Sequence, residues 1–318
     1  MRALRVELTE TLAYWTVVDE EWQPVPLADG YLRHLRLGAG RAEGTTRVYA
    51  GDLALFLGWC QGSGRSLPEA ARSLASFVGL LRTTAVQRAG AGQGRVRGPG
   101  RINHVLAAVR ELYKHAVAVG ELDAAVLSCL YEVGDDRGLP AELRPEGSGL
   151  RYRARPRHGQ RARRAVRPTA VHASEAEALL RACRCWRDRL LLVLLWFCGL
   201  RIGEALGLRR SDLHFVASAA SLGCGVRGAH LHVTARDNPN FARAKTGDRT
   251  VPVRAEVLSC YDRYLAEREG CRAAGDCDFV FVNLHHEPLG CPMSTDTVRK
   301  WLVVLSGRAG LARVVSPH

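Results

Sequence analysis

One segment of the chain, residues 142–168, has no repeating apolar positions and divides the sequence in two. It contains three prolines and several glycines, which interrupt helices and strands. From Arg151 to Arg167 it has eight arginines, one histidine and no acidic residue. A segment of this composition cannot bury a core of its own. We therefore expect a basic linker between two separately folded domains.

The part of the chain before this linker is predicted to be α-helical. Residues 1–26 have the pattern of an extended lead-in, and residues 27–141 repeat apolar positions with a helical period. Two strong series run from Tyr49 to Cys60 and from Ile102 to Ala116, and a further helix is expected from Pro68 to Arg82. The pattern predicts a small helical bundle, which by itself is compatible with many functions.

The part after the linker, residues 169–318, mixes helix and strand patterns and is predicted to be an α+β domain. A capping signal at Ser174–Glu177 marks the start of its first helix. Strands are expected at 231–233, 250–253 and 278–282, the first two as a hairpin, and further helices at 190–197, 257–268 and 297–305.

The net charge of +13 and a pI near 9.7 indicate a polyanionic partner, and the linker arginines contribute +8 of that charge. The longest apolar run has nine residues, which is too short for a membrane span, and the amino terminus lacks a secretory pattern. We expect a cytoplasmic, nucleoid-associated protein with reduced cysteines. The spacing of Cys271, Cys277 and Cys291 is too loose to predict a metal site, and none is predicted.

The segment at 197–213 has the features of a phosphate-binding helix start and reads FCGLRIGEALGLRRSDL. Gly199 permits a sharp turn, and Arg201 then stands where backbone N–H groups and the helix dipole favour an anion. The guanidinium of Arg201 can hold two phosphate oxygens at once, and Glu204, one turn later, is placed to brace it. The alternative is a surface Arg–Glu pair on an ordinary helix.

A second segment, at 237–253, reads DNPNFARAKTGDRTVPV and runs from the loop of the predicted hairpin through its second strand. Its Lys245 is one of only three lysines among 45 basic residues. Because a lysine can give up a proton and an arginine practically cannot, Lys245 is a candidate general acid. The alternative is an exposed loop lysine without a chemical role.

Together and in this order, the two segments resemble the first catalytic box and the β-hairpin lysine of the tyrosine recombinase (phage integrase) family. The resemblance spans nearly the whole chain. It implies a helical, SAM-like core-binding domain at 27–141 and a mixed α+β catalytic domain at 169–318. It also implies site-specific recombination or integration of double-stranded DNA through a phosphotyrosine link, other recombinase protomers as partners, and no metal or other cofactor.

This resemblance assigns catalytic roles to Arg201 and Lys245, with Glu204 in support, and it makes the basic linker a DNA-binding segment. The linker residues expected to contact DNA are Arg151, Arg153, Arg155, Arg157, Arg161, Arg163, Arg164 and Arg167.

The last residues, 315–318, read VSPH, and His318 resembles the histidine that opens the second catalytic box, His-x-x-Arg. The arginine of that box and the nucleophilic tyrosine beyond it do not occur in these 318 residues, and Tyr261 and Tyr264 lie too early in the chain to match. We therefore expect a catalytic domain that is incomplete at its C-terminus and binds DNA without cleaving it. Two alternatives stay open: an inactive DNA-binding protein of recombinase ancestry, and an unrelated helical nucleic-acid-binding module.

Overall fold

The computed structural model describes residues 1–9, 12–86, 95–134, 153–160 and 170–316. The chain divides into two compact units, unit 1 at Met1–Ala165 and unit 2 at Val166–His318. Among the described helices, none is both long and apolar enough to cross a membrane.

The described residues of unit 1 form α-helices, to which three two-stranded antiparallel sheets are added. The helices are α1 (Pro26–Arg33), α2 (Glu43–Gly62), α3 (Leu67–Arg72), α4 (Leu74–Thr83), α5 (Pro99–Ala118) and α6 (Leu127–Leu130), with a π-helical turn at His34–Gly38 and a 3-10 turn at Ala124–Val126. The strands are β1 (Arg2–Glu7), β2 (Ala13–Val18), β3 (Ala85–Val86), β4 (Arg95–Val96), β5 (Tyr131–Gly134) and β6 (Arg153–Pro156).

The core of unit 1 lies where the helical periodicity places it. The apolar positions that repeat with a helical period in α5, from Ile102 to Ala116, are buried, and so are Leu53 and Phe56 of α2. Phe56 packs edge-on against Phe77 of α4 at 5.3 Å between ring centroids. The predicted helices at 49–60 and 102–116 are thereby confirmed.

Two predictions for unit 1 need correction. The expected lead-in at 1–26 contains the β1–β2 hairpin, and Val17 of β2 is completely buried in the helical core. The expected helix from Pro68 to Arg82 is two helices, α3 and α4, separated at Ser73. The burial of Val17 is a tertiary contact, which a local sequence pattern does not record.

The basic linker also differs from its prediction, because residues 153–156 form strand β6 and pair with β5. The segment after β6 is held to unit 1 as well: Arg157 donates from Nε to the Tyr131 carbonyl at 3.1 Å. Gln160 and Asn103 exchange two hydrogen bonds, of 2.7 and 2.8 Å. The described part of the predicted linker is therefore attached to the first unit.

Unit 2 has helices packed around one three-stranded antiparallel sheet of order β7-β8-β9. Its helices are α7 (Ala173–Ala182), α8 (Trp186–Phe197), α9 (Ile202–Leu206), α10 (Ala255–Glu269) and α11 (Thr295–Arg308), and its strands are β7 (Leu213–His214), β8 (His230–Val233) and β9 (Arg249–Pro252). The predicted hairpin is confirmed as β8–β9, joined by the loop 234–248. The first helix begins at Ala173, and its capping box lies two residues earlier than predicted: the N-cap is His172 instead of Ser174, and the His172 N–H donates to the carboxylate of Glu175 instead of Glu177, at 2.9 Å.

The strand predicted at 278–282 is wrong. Residues 279–282 are buried and apolar, but the backbone of the segment forms only isolated bridges instead of a ladder. The buried guanidinium of Arg268 donates to the carbonyls of Phe279 and Val280, and the Tyr264 hydroxyl also donates to Val280, at 2.6 Å. Side chains of α10 therefore satisfy carbonyls that a neighbouring strand would otherwise bind.

Candidate active site

Arg201 occupies the position that its motif predicts, at the N-cap of α9. The preceding Gly199 has a φ of +59°, a left-handed conformation that glycine adopts at little cost, and it turns the chain from α8 into α9. The Arg201 side chain is 52% exposed, so most of its donors face solvent. An exposed guanidinium at a helix start is well suited to hold an anion.

Glu204 is the centre of the site. Its side chain is fully buried, and it accepts from the Arg201 backbone N–H at 2.8 Å and from Arg201 Nη1 at 3.1 Å. It also accepts from Thr246 Oγ1 at 3.0 Å and from both terminal nitrogens of Arg249 at 3.0 and 2.8 Å. One carboxylate therefore joins the start of α9 to the loop that carries Lys245 and to the start of β9.

The charge of Glu204 is set by this network. Burial by itself would raise the pKa of the carboxyl, but the hydrogen bonds from Arg249, Arg201 and Thr246 outweigh it and lower the pKa to about 2. Glu204 is therefore ionised at neutral pH, and its negative charge is balanced by two arginines.

The loop 234–248 is anchored to α9 at several points. The buried Asn240 donates to the carbonyls of Leu206 and Met293 at 3.0 and 2.9 Å. Ala242 and Ala244 are buried, whereas the residue that follows them, Lys245, is exposed. The loop thus holds its backbone on the domain and presents Lys245 outward.

Gly203 explains how closely this loop approaches α9. A Cβ atom built at this position would lie 2.7 Å from the carbonyl oxygen of Arg243, a distance that a real side chain does not tolerate. The glycine of the GLRIGE motif is therefore required for the contact between the first segment and the lysine loop.

We expect Gly203→Ala to lower the free energy of unfolding by about 1–3 kcal/mol, because the new methyl group must push the Arg243 backbone away. Gly247→Ala, in the same loop, is the matched control: open space surrounds that position, and the change should be neutral. Urea unfolding measures the stability, and hydrogen exchange of residues 234–248 reports the displaced loop. Equal stability of the two variants would contradict the close contact.

In the described part of the chain, the Lys245 ammonium has no hydrogen-bond or ion-pair partner, although Thr246 beside it bonds to Glu204. Arg201 and the lysine loop thus meet at one carboxylate, and both cations remain exposed to solvent. The predicted contact between Arg201 and Glu204 is present.

Neither tyrosine of α10 is arranged as a nucleophile. Tyr264 is completely buried, and Tyr261 packs edge-on against Phe215 at 5.1 Å between ring centroids. Burial raises the pKa of both phenols, which opposes formation of the phenolate. This agrees with the expectation that they are structural positions.

The predictions for His318 and for five linker arginines lie outside the described residues; those arginines are Arg151, Arg161, Arg163, Arg164 and Arg167. Of the remaining three, Arg153 and Arg155 belong to β6, and Arg155 and Arg157 are exposed. The segment leading towards His318 is held in place: Val315 is buried and its N–H donates to Ser306 Oγ at 3.0 Å.

Thr246 and Arg249, for which the sequence predicts no role, supply three of the five hydrogen bonds to Glu204. The available signal was the motif itself, since both lie within the quoted segment KTGDRTVP. The strand register and the path of the loop, which are tertiary features, bring both side chains to Glu204.

Comparison with known proteins identifies the family. The sequence profile of the Phage integrase family matches residues 170–318. Transposase A from transposon Tn554 of Staphylococcus aureus is 24% identical over 317 residues, covering 98% of this chain and 82% of the relative. Tyrosine recombinase XerC of Rhodospirillum centenum is 30% identical over 297 residues, covering 91% of this chain and 69% of the relative. The chain belongs to the tyrosine recombinase family.

Among solved structures, the chain is similar to the XerA recombinase, with 17% sequence identity and a TM-score of 0.36. The match covers 92% of this chain and 79% of the XerA chain, and the family assignment does not rest on it. Family membership confirms the resemblance seen in the two motifs, and it confirms a mixed α/β catalytic domain. It also excludes the alternative of an unrelated helical module.

Proposed function

We propose that this recombinase family member binds double-stranded DNA for site-specific recombination or integration and holds one phosphodiester between Arg201 and Lys245. The observation that carries the proposal is the shared contact at Glu204, where the Arg201 guanidinium and the lysine loop bond to the same carboxylate. Arg201 and Arg249 together place two positive charges against the single charge of Glu204, so a net positive charge at Arg201 and the charge of the exposed Lys245 are left for a phosphate.

The two cations differ in what they can do. Arg201 suits the non-bridging oxygens, since its fork donates two parallel hydrogen bonds and stays charged. Lys245 suits the leaving 5′-oxygen, to which it can transfer a proton. His318 is proposed to add an acid–base group beside the same phosphate. No metal or other cofactor is required for these steps.

Cations that stabilise negative charge on a phosphate do not supply the nucleophile that must attack its phosphorus atom. Residues 1–318 contain no tyrosine that matches the family nucleophile, so we propose that the 318-residue polypeptide binds DNA without forming a phosphotyrosine bond. Unit 1 is proposed to be the core-binding DNA-binding domain, and the linker arginines are proposed to supply sequence-independent affinity. The proposed location is the cytoplasm, at the nucleoid, with other recombinase protomers as partners.

Fluorescence anisotropy with a labelled 40-base-pair duplex of arbitrary sequence tests the phosphate contacts. Arg201→Ala and Lys245→Ala should each weaken binding about tenfold, because each removes a charge-assisted contact. Arg299→Ala and Lys300→Ala, on the exposed face of α11, remove the same charges from residues that are not bonded to Glu204 and should have little effect. Arg299 is a close control, since it also pairs with a carboxylate one helical turn away.

Equal losses in the site variants and in the α11 variants would overturn the proposed phosphate site. A second measurement tests cleavage: the polypeptide is incubated with nicked duplexes, which trap covalent recombinase–DNA complexes, and is resolved by denaturing electrophoresis. We expect binding without any covalent product. A covalent product from residues 1–318 would overturn the proposed lack of cleavage and would point to a different nucleophile.

A further inference from the structure

Three histidines and one cysteine of unit 2, none of them proposed to bind DNA, converge on one side of the β7–β8 pair. They are His214, Cys224, His230 and His232. His214 of β7 lies directly opposite His230 of β8, and His232 follows two residues along the same strand, so all three imidazoles share a face. Cys224 comes from the connection between the two strands.

The four candidate ligand atoms form a closed ring of short contacts. His230 Nε2 lies 3.1 Å from His214 Nδ1 and 3.3 Å from Cys224 Sγ. His232 Nε2 lies 3.5 Å from the same sulfur and 3.3 Å from the same His214 nitrogen. Zinc bonds of about 2.0–2.1 Å to nitrogen and about 2.3 Å to sulfur place tetrahedral ligand atoms about 3.3–3.6 Å apart. The ring therefore has the dimensions of a zinc coordination shell.

The orientation of the rings also suits a metal. His214, His230 and His232 meet pairwise at 72–82°, so each directs a nitrogen edge towards the common centre instead of stacking. His230 Nδ1 lies 2.7 Å from the Gly228 carbonyl oxygen and must donate to it. That bond leaves the lone pair of Nε2 aimed at the centre, which is the outer-shell arrangement typical of metal-bound histidine.

We propose that these four residues bind one Zn²⁺ ion as a structural site. Mixed imidazole and thiolate ligands in tetrahedral geometry select zinc, and four protein ligands leave no open position for a substrate. The zinc ion would attach the connection 215–229 to the β7-β8-β9 sheet. The third strand of this sheet, β9, begins at Arg249, which donates to Glu204. This proposal does not depend on the DNA-binding function.

The test uses the full 318-residue chain, purified from cells grown with added zinc, and elemental analysis of its metal content. We expect about one zinc per chain. Replacement of zinc by Co²⁺ should produce the d–d absorption of a tetrahedral site together with a sulfur-to-cobalt charge-transfer band in the near ultraviolet. Removal of zinc by a strong chelator should lower the melting temperature by about 5–10 °C.

Cys224→Ser should abolish the charge-transfer band, and His230→Asn should remove stoichiometric zinc. Cys291→Ser and His286→Asn are the matched controls, because both residues are exposed and lie outside the cluster. The wild-type Co²⁺ titration keeps the test decisive even if a ligand variant fails to fold. A folded wild-type chain with less than about 0.1 zinc per chain and no cobalt charge-transfer band would overturn the proposal, leaving a hydrogen-bonded histidine cluster. A band that persists in Cys224→Ser would also overturn it.

Discussion

Replacing Glu204 with alanine is expected to lower the free energy of unfolding of unit 2 by about 3 kcal/mol. The carboxylate is fully buried and accepts five hydrogen bonds from Arg201, Thr246 and Arg249. Its removal leaves the Arg249 guanidinium without its partner beside the core. The expected loss is at the low end for a buried pair, because the Arg249 side chain is 33% exposed and water can partly replace the carboxylate.

The measurement is urea unfolding of the full chain, monitored by hydrogen exchange and mass spectrometry. Peptides from the two units then report the loss of unfolding free energy in unit 2 separately from the stability of unit 1. Asp296→Ala is the matched control, since it breaks an exposed pair with Arg299 one helical turn away and should change stability by less than about 0.5 kcal/mol. A Glu204→Ala chain as stable as the Asp296→Ala chain would show that the network at Glu204 does not stabilise the domain.

The same carboxylate gives a pH dependence with a defined sign. The pKa of Glu204 in the folded chain, about 2, lies below the ordinary value of 4.5, so the unfolded chain takes up the proton first. The contribution of Glu204 to stability is therefore complete above about pH 4.5 and is lost as the pH falls towards 2. The stability difference between wild type and Glu204→Gln should shrink over this range, and a difference that grows on acidification would contradict the assignment.

How far the sequence predicts this fold depends on where the determining contacts lie. Helices α2 and α5 are long and amphipathic, so their buried positions follow from local periodicity alone. The segment 278–282 has the composition of a strand, yet its carbonyls are satisfied by Arg268 and Tyr264 from a helix ten or more residues earlier. No local pattern records such a partner.

In the site, too, some features follow from local sequence and others depend on tertiary contacts. The motif at 197–213 was enough to place Arg201 at a helix start and Glu204 beneath it. The contributions of Thr246 and Arg249 depend on the path of the loop 234–248, which is fixed by tertiary contacts. The cluster around His230 was missed for a related reason: His214 meets His230 only through the strand register, and sequence spacing alone resembles none of the common zinc patterns.

The largest effect on DNA binding is expected from the arginine-rich segment. The logarithm of the DNA association constant, log K, falls linearly with the logarithm of the salt concentration. If all eight arginines each neutralise one phosphate, replacing them with glutamine should make this negative slope shallower by about 7. Between 50 and 200 mM salt this difference corresponds to about four orders of magnitude in affinity. The variant with all eight changed to lysine is the control, because counterion release depends on charge and its slope should match wild type.

A second variant separates charge from structure. Two of the eight, Arg153 and Arg155, belong to β6, and a third, Arg157, donates to the Tyr131 carbonyl. Replacement of these three can therefore also disturb unit 1. Changing only the other five arginines leaves this hairpin intact and should reduce the slope by about 4–5. Anisotropy titrations at several salt concentrations measure both slopes. If the five-residue variant keeps the wild-type slope while the eight-residue variant loses affinity, the segment acts through the β5–β6 hairpin and not through phosphate neutralisation.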